Sequence, residues 1–465
     1  MIQIIVNEWK MLLRVRVLAY LSLFFIAALT AITWLGVVQN QQQQEQQRAA
    51  QAHVREQWES IESMNPHSAG HYGSYAFKPL TSLSSLDDGI NAITGNVLRL
   101  EGHVQNEMVY SEASQSIMIS KFGKLKPSLL LQYVIPLFLI FLAFASVSSE
   151  RETGRLKLLV LQGASPSKLI LSKAFSVWLY GFLLLAFTLV IQVVANAGGT
   201  DADAFVRMGL FLLVYALYFY IVALMATWFS ARLNSHAGAL SSMLALWILW
   251  TIFLPKIWGN TADQLHPLPS RQEFKTAMQD DRSKGLDGHN PSDKRSEEFK
   301  QQVLAKYGVD SVQQLPVNFS GLRMQADEEY GNQVWDKHFG EQFGILQKQK
   351  QFFQLSGIVN PFASLQSIGM GLSATDMLHH VDFLRQAEDY RRHMIKTLND
   401  QQAFGNSPDG MEDNAFYKSL KDFEYRTPQV SAVIGHYGID FLLLAGWAFI
   451  MTIIVGLTGK HIKLI

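Results

Sequence analysis

Six apolar runs punctuate the chain, at about 17–38, 127–147, 174–194, 208–229, 239–254 and 439–457. All but the fifth exceed the roughly 18 apolar residues that mark a transmembrane helix. The polar stretches between them are unequal. Those at 39–126 and 255–438 are long enough to form domains, and the rest are short. Ahead of the first run, Ile2, Ile4, Ile5, Trp9, Leu12 and Leu13 interleave with Asn7, Glu8 and Lys10, the pattern of a short helix lying on a membrane face. A plain polar flank is the alternative. The first run is about 22 residues long, too long for the 7–15 residues of a signal-peptide core.

The polar stretches carry their own patterns. Residues 39–64 are Gln- and Ala-rich without Gly or Pro, which continues the first span outward as a helix; a disordered polar tract is the bland alternative. Helical spacing recurs at about 292–307, 323–354 and 375–402, with Phe299, Tyr330, Trp335, Phe339, Phe343, Phe383 and Tyr390 placed for an interhelical core. Residues 355–374 are apolar but broken by Gly357, Pro361, Gly369 and Gly371. Such a segment is too interrupted to span and too apolar for a solvated loop, so it lies at the membrane surface or re-enters it.

Between the second and third runs stands a charged amphipathic insert at 148–173. Glu150, Arg151 and Glu152 come first, then Gly154, then a leucine stripe at Leu156, Leu158, Leu159 and Leu161, then Gly163 and the Ser165–Pro166 step, which opens a new helix ahead of Lys168. An insert this short is a contact surface rather than a domain; an ordinary cytoplasmic hairpin is the alternative.

This insert resembles the coupling segment of ABC-2-type permeases, the membrane subunits of ATP-driven exporters. The resemblance implies that Glu150, Arg151, Glu152, Gly154, Leu158, Leu161, Ser165, Pro166 and Lys168 lie at or near a contact with a separate ATPase. The family has Thr after the Gly, where this chain has Arg155. It also implies that the N-terminal helix, through Trp9 and Lys10, is an elbow touching the ATPase. Likewise, 355–374 is a re-entrant segment whose Pro361–Phe362 run and Thr375–Asp376 step match the subgroup with a large outer insertion between the fifth and sixth spans.

Charge near the span ends gives orientation. Lys10, Arg14, Arg16, Arg151, Arg155, Lys157, Lys168, Lys173, Arg232, Lys460 and Lys463 fall on one side, against Lys121, Lys124, Lys126, Arg207 and Lys256 on the other. The first side is cytoplasmic, so both termini are inside and both long stretches are periplasmic, in a bacterial inner membrane. The expected fold is an all-α polytopic membrane protein: elbow and first span at 1–38, a periplasmic segment at 39–126, four spans and the coupling insert at 127–254, a periplasmic helical domain at 255–438, and the last span and tail at 439–465.

Composition fits a mixed chain. Among 465 residues, 49% are hydrophobic and 17% charged, yet the mean hydropathy is only +0.09, so spans coexist with polar domains. The 39 basic and 39 acidic residues balance, which gives no nucleic-acid signal. The absence of cysteine excludes disulfides and thiolate metal sites.

Candidate chemistry is sparse. No P-loop pattern occurs; the nearest string, Gly456 to His461, has too few residues between its glycines. Ionisable residues avoid the span interiors, with Arg207, Lys256 and Asp440 at the edges, which argues against proton-coupled transport. His67 and His71 could share a helix face and ligate a metal, with His103 farther along. Gly70 between them and the lack of a third ligand at diagnostic spacing favour packing.

The resemblance therefore implies a permease subunit, not an enzyme. It would work with two copies of an ATPase that holds ATP and Mg, a second identical or related permease, and the lipid bilayer. The rival is an energy-transmitting or sensing membrane protein acting on a periplasmic protein partner; a third reading is a polytopic enzyme acting on lipid.

Overall fold

The computed structural model describes residues 2–14, 16–106, 125–196, 201–405 and 410–459. Lys121, Lys124, Lys460 and Lys463, which entered the charge argument, lie outside them, as does the Leu12 side chain. The chain opens with α1 (Ile2–Arg14) and α2 (Arg16–Glu59). A short helix α3 (Pro66–Tyr72) and an antiparallel ribbon, β2 (Ser74–Phe77) with β3 (Val97–Leu100), follow. Next come α4 (Pro127–Glu152), α5 (Arg155–Leu161), α6 (Pro166–Ala195), α7 (Ala202–Arg232) and α8 (His236–Leu265). The second polar stretch forms α9 (Arg271–Lys284), α10 (Ser292–Tyr307), α11 (Phe319–Leu355), α12 (Pro361–Leu372), α13 (Met377–Phe404) and α14 (Asn414–Ser419), before α15 (Val430–Thr458). A two-residue bridge joins β1 (Ser63–Met64) to β4 (Glu412–Asp413).

The chain is thus an all-α polytopic membrane protein, and among the described residues six helices, α2, α4, α6, α7, α8 and α15, are long and apolar enough to cross a membrane. Helix α7 is the axis of the bundle: 67% of its apolar window is buried, against 22% in α8 and α15. It packs against α4, α6, α8, α12 and α15. Tyr215, Tyr218 and Phe219 on it are fully enclosed, and Phe211 stacks on Tyr215 at 4.1 Å. The outer helices keep apolar faces bare, as at Leu442 and Phe449 of α15, which only hydrocarbon or another subunit tolerates.

The fifth span is longer than its apolar run: the helix continues past Pro255 to Leu265. A proline normally ends a helix because its ring meets the carbonyl four residues back and it lacks the N–H that carbonyl needs. Here a π-helical turn, Leu249–Phe253, immediately precedes it, and the wider turn makes room for the ring. Helix α4 repeats the device, with a π turn at Leu130–Val134 ahead of Pro136.

Helix α2 runs unbroken for 44 residues, so the Gln-rich stretch is helical and carries the first span out of the bundle. Its far end enters a polar lobe whose core joins Trp58 and Ile61 to Ala69, Leu98, Leu100, Phe383, Met394, Ile395, Leu398 and Tyr417. Within the lobe, Arg391 of α13 is 1% exposed at its side chain. It pairs with Glu388 at 2.8 Å and with Glu328 of α11 at 3.2 Å, beneath the Trp335 ring. Helix α12 is buried along most of its length between α7 and α15.

Candidate functional site

The Glu-Arg-Glu motif at the end of α4 sends each side chain to a different helix. Glu150 accepts from Lys173 Nζ of α6 at 2.9 Å, and the same ammonium donates to Glu8 of α1 at 2.5 Å. The Lys173 side chain is 2% exposed, so one buried cation holds two carboxylates. Arg151 donates to the carbonyls of Leu233, at 2.9 Å, and Ala231. These are carbonyls at the end of α7 that no further helical turn satisfies, at the negative pole of its dipole. Glu152 pairs with His236 Nε2 at 2.7 Å, at the start of α8, while His236 Nδ1 meets Ser148 Oγ at 2.7 Å. Ser230 Oγ accepts from the N–H groups of Val147 and Ser148 at 3.1 and 3.2 Å. Five residues of one segment thereby tie together α1, α4, α6, α7 and α8.

The exposed part of the insert follows this knot. Gly154 sits at φ +71° with open space where a Cβ would stand, and starts α5. That left-handed conformation favours glycine. On α5, Leu156 is fully buried, while Leu158 and Leu161, three residues apart, are 59% and 73% exposed. Gly163, at φ +91°, ends the helix, Ser165 occupies the N-cap position of α6 and Pro166 its first turn, and Lys168 is exposed. Of the residues expected at a contact, Glu150 and Arg151 are therefore turned inward, and Leu158, Leu161, Ser165 and Lys168 outward. Trp9 of α1 packs on Tyr180 of α6 with ring centroids 6.3 Å apart, and Lys10 is exposed. Sequence reasoning missed Lys173, Glu8 and His236 as partners. Each lay in a polar position beside an apolar run, the available signal, but nothing in spacing pairs residues 165 positions apart.

Pro361 and Phe362 belong to another locality. The Phe362 ring meets Tyr133 of α4 at 5.1 Å and Tyr218 of α7 at 6.1 Å. At 1.5 Å per residue Tyr133 lies about 25 Å along α4 from Glu150. The Thr375–Asp376 step closes this region. Thr375 O accepts from Ile90 N–H at 2.9 Å, and Asp376 caps α13 through His379 N–H at 3.2 Å while accepting from the Tyr437 hydroxyl and the His379 ring. Burial opposes its charge, yet His379 and Tyr437 hold its carboxyl well below the ordinary carboxylate range. Nearby, Lys78 donates to Asn91 Oδ1 at 2.8 Å; burial pulls its ammonium down to about 8, against the favourable charge of Asp376. Asp440, at the edge of the sixth apolar run, is fully buried inside α15 and accepts from Gln354 Nε2 at 2.6 Å.

Comparison with known families gives two matches. A family model described as ABC-2 family transporter protein covers residues 2–307, and one for a domain of unknown function covers residues 271–426. Comparison with curated proteins and with solved structures gives no match.

Proposed function

The chain belongs to the ABC-2 transporter family, and on that premise we propose that it is the permease subunit through which a separate ATPase drives substrate export across a bacterial inner membrane. The observation that carries this reading is the pairing of an exposed leucine face, Leu158 and Leu161, with a buried knot that grips five helices. A partner pushing on α5 moves α4, and the knot shares that displacement with α1, α6, α7 and α8 at once. ATP and Mg stay in the partner, of which two copies dimerise on nucleotide, so two permeases, identical or related, face each other across the path. The lysines and arginines around the knot support a cytoplasmic position for this end, and the burial of α12 between α7 and α15 supports its reading as the re-entrant segment on the opposite side.

The test is a double variant, Leu158→Ser with Leu161→Ser, co-expressed with the neighbouring ATPase. Both side chains are exposed, so the fold and thermal midpoint stay as in the wild type while the ATPase no longer co-purifies. Undiminished co-purification and undiminished coupled hydrolysis would overturn the proposal.

A further inference from the structure

Three histidines from two separate stretches of sequence meet on the polar lobe. His67 and His71 lie one turn apart on α3, which forms across Gly70 because that glycine leaves α13 room to approach: a Cβ there would stand 3.3 Å from Ile395 Cδ1. His103 arrives from the loop after β3, drawn in by a 2.9 Å bond from Gly102 N–H to the Gly70 carbonyl. One nitrogen from each ring lies within 4.8 Å of the others, and the three ring centroids are 4.8 to 5.2 Å apart. This corrects the expectation from spacing alone, in which the third ligand was missing.

The surroundings fix which nitrogens face inward. Asn399 Nδ2 donates to Gln325 Oε1 at 3.2 Å, leaving its Oδ1 toward His67 Nδ1 at 3.4 Å. That ring therefore carries its proton on Nδ1 and presents a lone pair at Nε2. His103 Nδ1 lies 2.7 Å from the Glu328 carboxylate, which also accepts the His103 backbone N–H and so holds this residue at its positive φ of 64°. A carboxylate on the outer nitrogen of a histidine is the usual second partner of a metal-binding ring, because it sets the tautomer and raises basicity. Glu328 is itself buried and anchored by Arg391. The His67 and His71 Nε2 atoms are 3.2 Å apart. Two ligands at 2.0–2.1 Å on a tetrahedral zinc stand about 3.3 Å from each other. A proton on one of these nitrogens would bridge that pair alone, whereas an ion serves all three rings.

From this arrangement we infer that His67, His71 and His103 form a three-histidine site for a divalent transition-metal ion of the zinc class, with Glu328 and Asn399 as positioning residues. Neutral imidazoles suit zinc, copper and nickel and reject magnesium and calcium. With His71 exposed, the fourth position faces solvent, open to water or to a donor from another molecule. The ion would clip α3 to the β3 loop and, through Glu328 and Arg391, to α11 and α13.

The experiment uses the full chain in detergent micelles, stripped with chelator and titrated with Zn²⁺ alone by calorimetry, with metal content measured after dialysis. The wild type takes up one ion per chain and gains thermal stability with added Zn²⁺. His71→Ala, at an exposed position, keeps the metal-free midpoint but binds at least about 10-fold more weakly, Glu328→Gln weakens binding about 10- to 100-fold, and the triple alanine variant binds none. A wild type without stoichiometric uptake, or one matched by the triple variant, would overturn the site.

Discussion

At the residue scale, Lys173 is the most constrained charge in the buried knot. Two carboxylates from separate helices share it at 2.5 and 2.9 Å, and Lys173→Met would leave both facing each other with little water. Breaking a buried pair from one side costs roughly 3–5 kcal/mol, mostly as the penalty of the stranded charge. The variant should therefore melt well below the wild type, whereas Glu8→Gln, which keeps the Glu150 contact, should lose much less. Equal, small losses in the two would show that the knot is solvated and weak. Lys78 offers a pH-dependent counterpart. Its folded pKa, about 8, lies below that of the unfolded chain, so the native state binds the proton less tightly. Stability attributable to this group is flat below pH 8 and rises as pH climbs from 8 toward 10.5. Comparing the thermal midpoints of the wild type and Lys78→Met across that window should show the wild type gaining on the variant, by up to about 3 kcal/mol over the 2.5 pH units. A difference that stays constant with pH would mean that Lys78 holds its proton as tightly in the native state as in the unfolded chain.

At the element scale, two glycines with different reasons for being glycine give unequal sensitivities. A Cβ on Gly371 of α12 would stand 2.4 Å from Tyr437 Cε2 and 2.8 Å from Cδ2. A ring held through Asp376 gives way poorly, so Gly371→Ala should cost about 1–3 kcal/mol by overpacking. Gly154→Ala meets nothing within 4 Å and pays only for its left-handed backbone, about 1 kcal/mol. Melting curves in detergent distinguish them, and a Gly154→Ala loss as large as that of Gly371→Ala would contradict the account. The same elements show how far the sequence can be read. The six spans follow from the length of their apolar runs, and the helices expected at about 292–307, 323–354 and 375–402 follow from apolar period, because burial on one face needs no knowledge of the neighbour; they stand at Ser292–Tyr307, Phe319–Leu355 and Met377–Phe404. Helix ends were less legible. Pro255 looks like a stop until a π turn accommodates it, and α15 begins at Val430, ahead of its apolar run, where Val433 and Tyr437 are buried in turns that are otherwise mostly exposed. Pairings were not legible at all: Glu150 with Lys173, or His103 with His67, depend on which helices meet, which local pattern does not encode.

At the scale of the whole molecule, orientation is directly testable because the chain has no native cysteine. Ser63, Ser292 and Ser165 are all exposed. Single cysteines at Ser63 and Ser292 should react with a membrane-impermeant thiol reagent in intact spheroplasts, and one at Ser165 should react only after lysis. The reverse pattern would invert the topology and place the leucine face of α5 beyond the reach of any cytoplasmic ATPase.

The unbroken course of α2 gives the molecule a lever arm. At 1.5 Å per residue its 44 residues extend about 66 Å. Roughly half of that suffices to cross the hydrocarbon, so about 35 Å projects beyond it. A rod carries angle as well as load: a tilt of only about 5° where it leaves the bilayer swings its tip by about 3 Å, the width of a water molecule. The tip is not free, since Trp58 is locked into the lobe core and donates to Gly73 O at 2.8 Å. The base is not free either, since α1 and Glu8 are tied to the knot. Rotations too small to see at one end would arrive at the other as a displacement as wide as a water molecule.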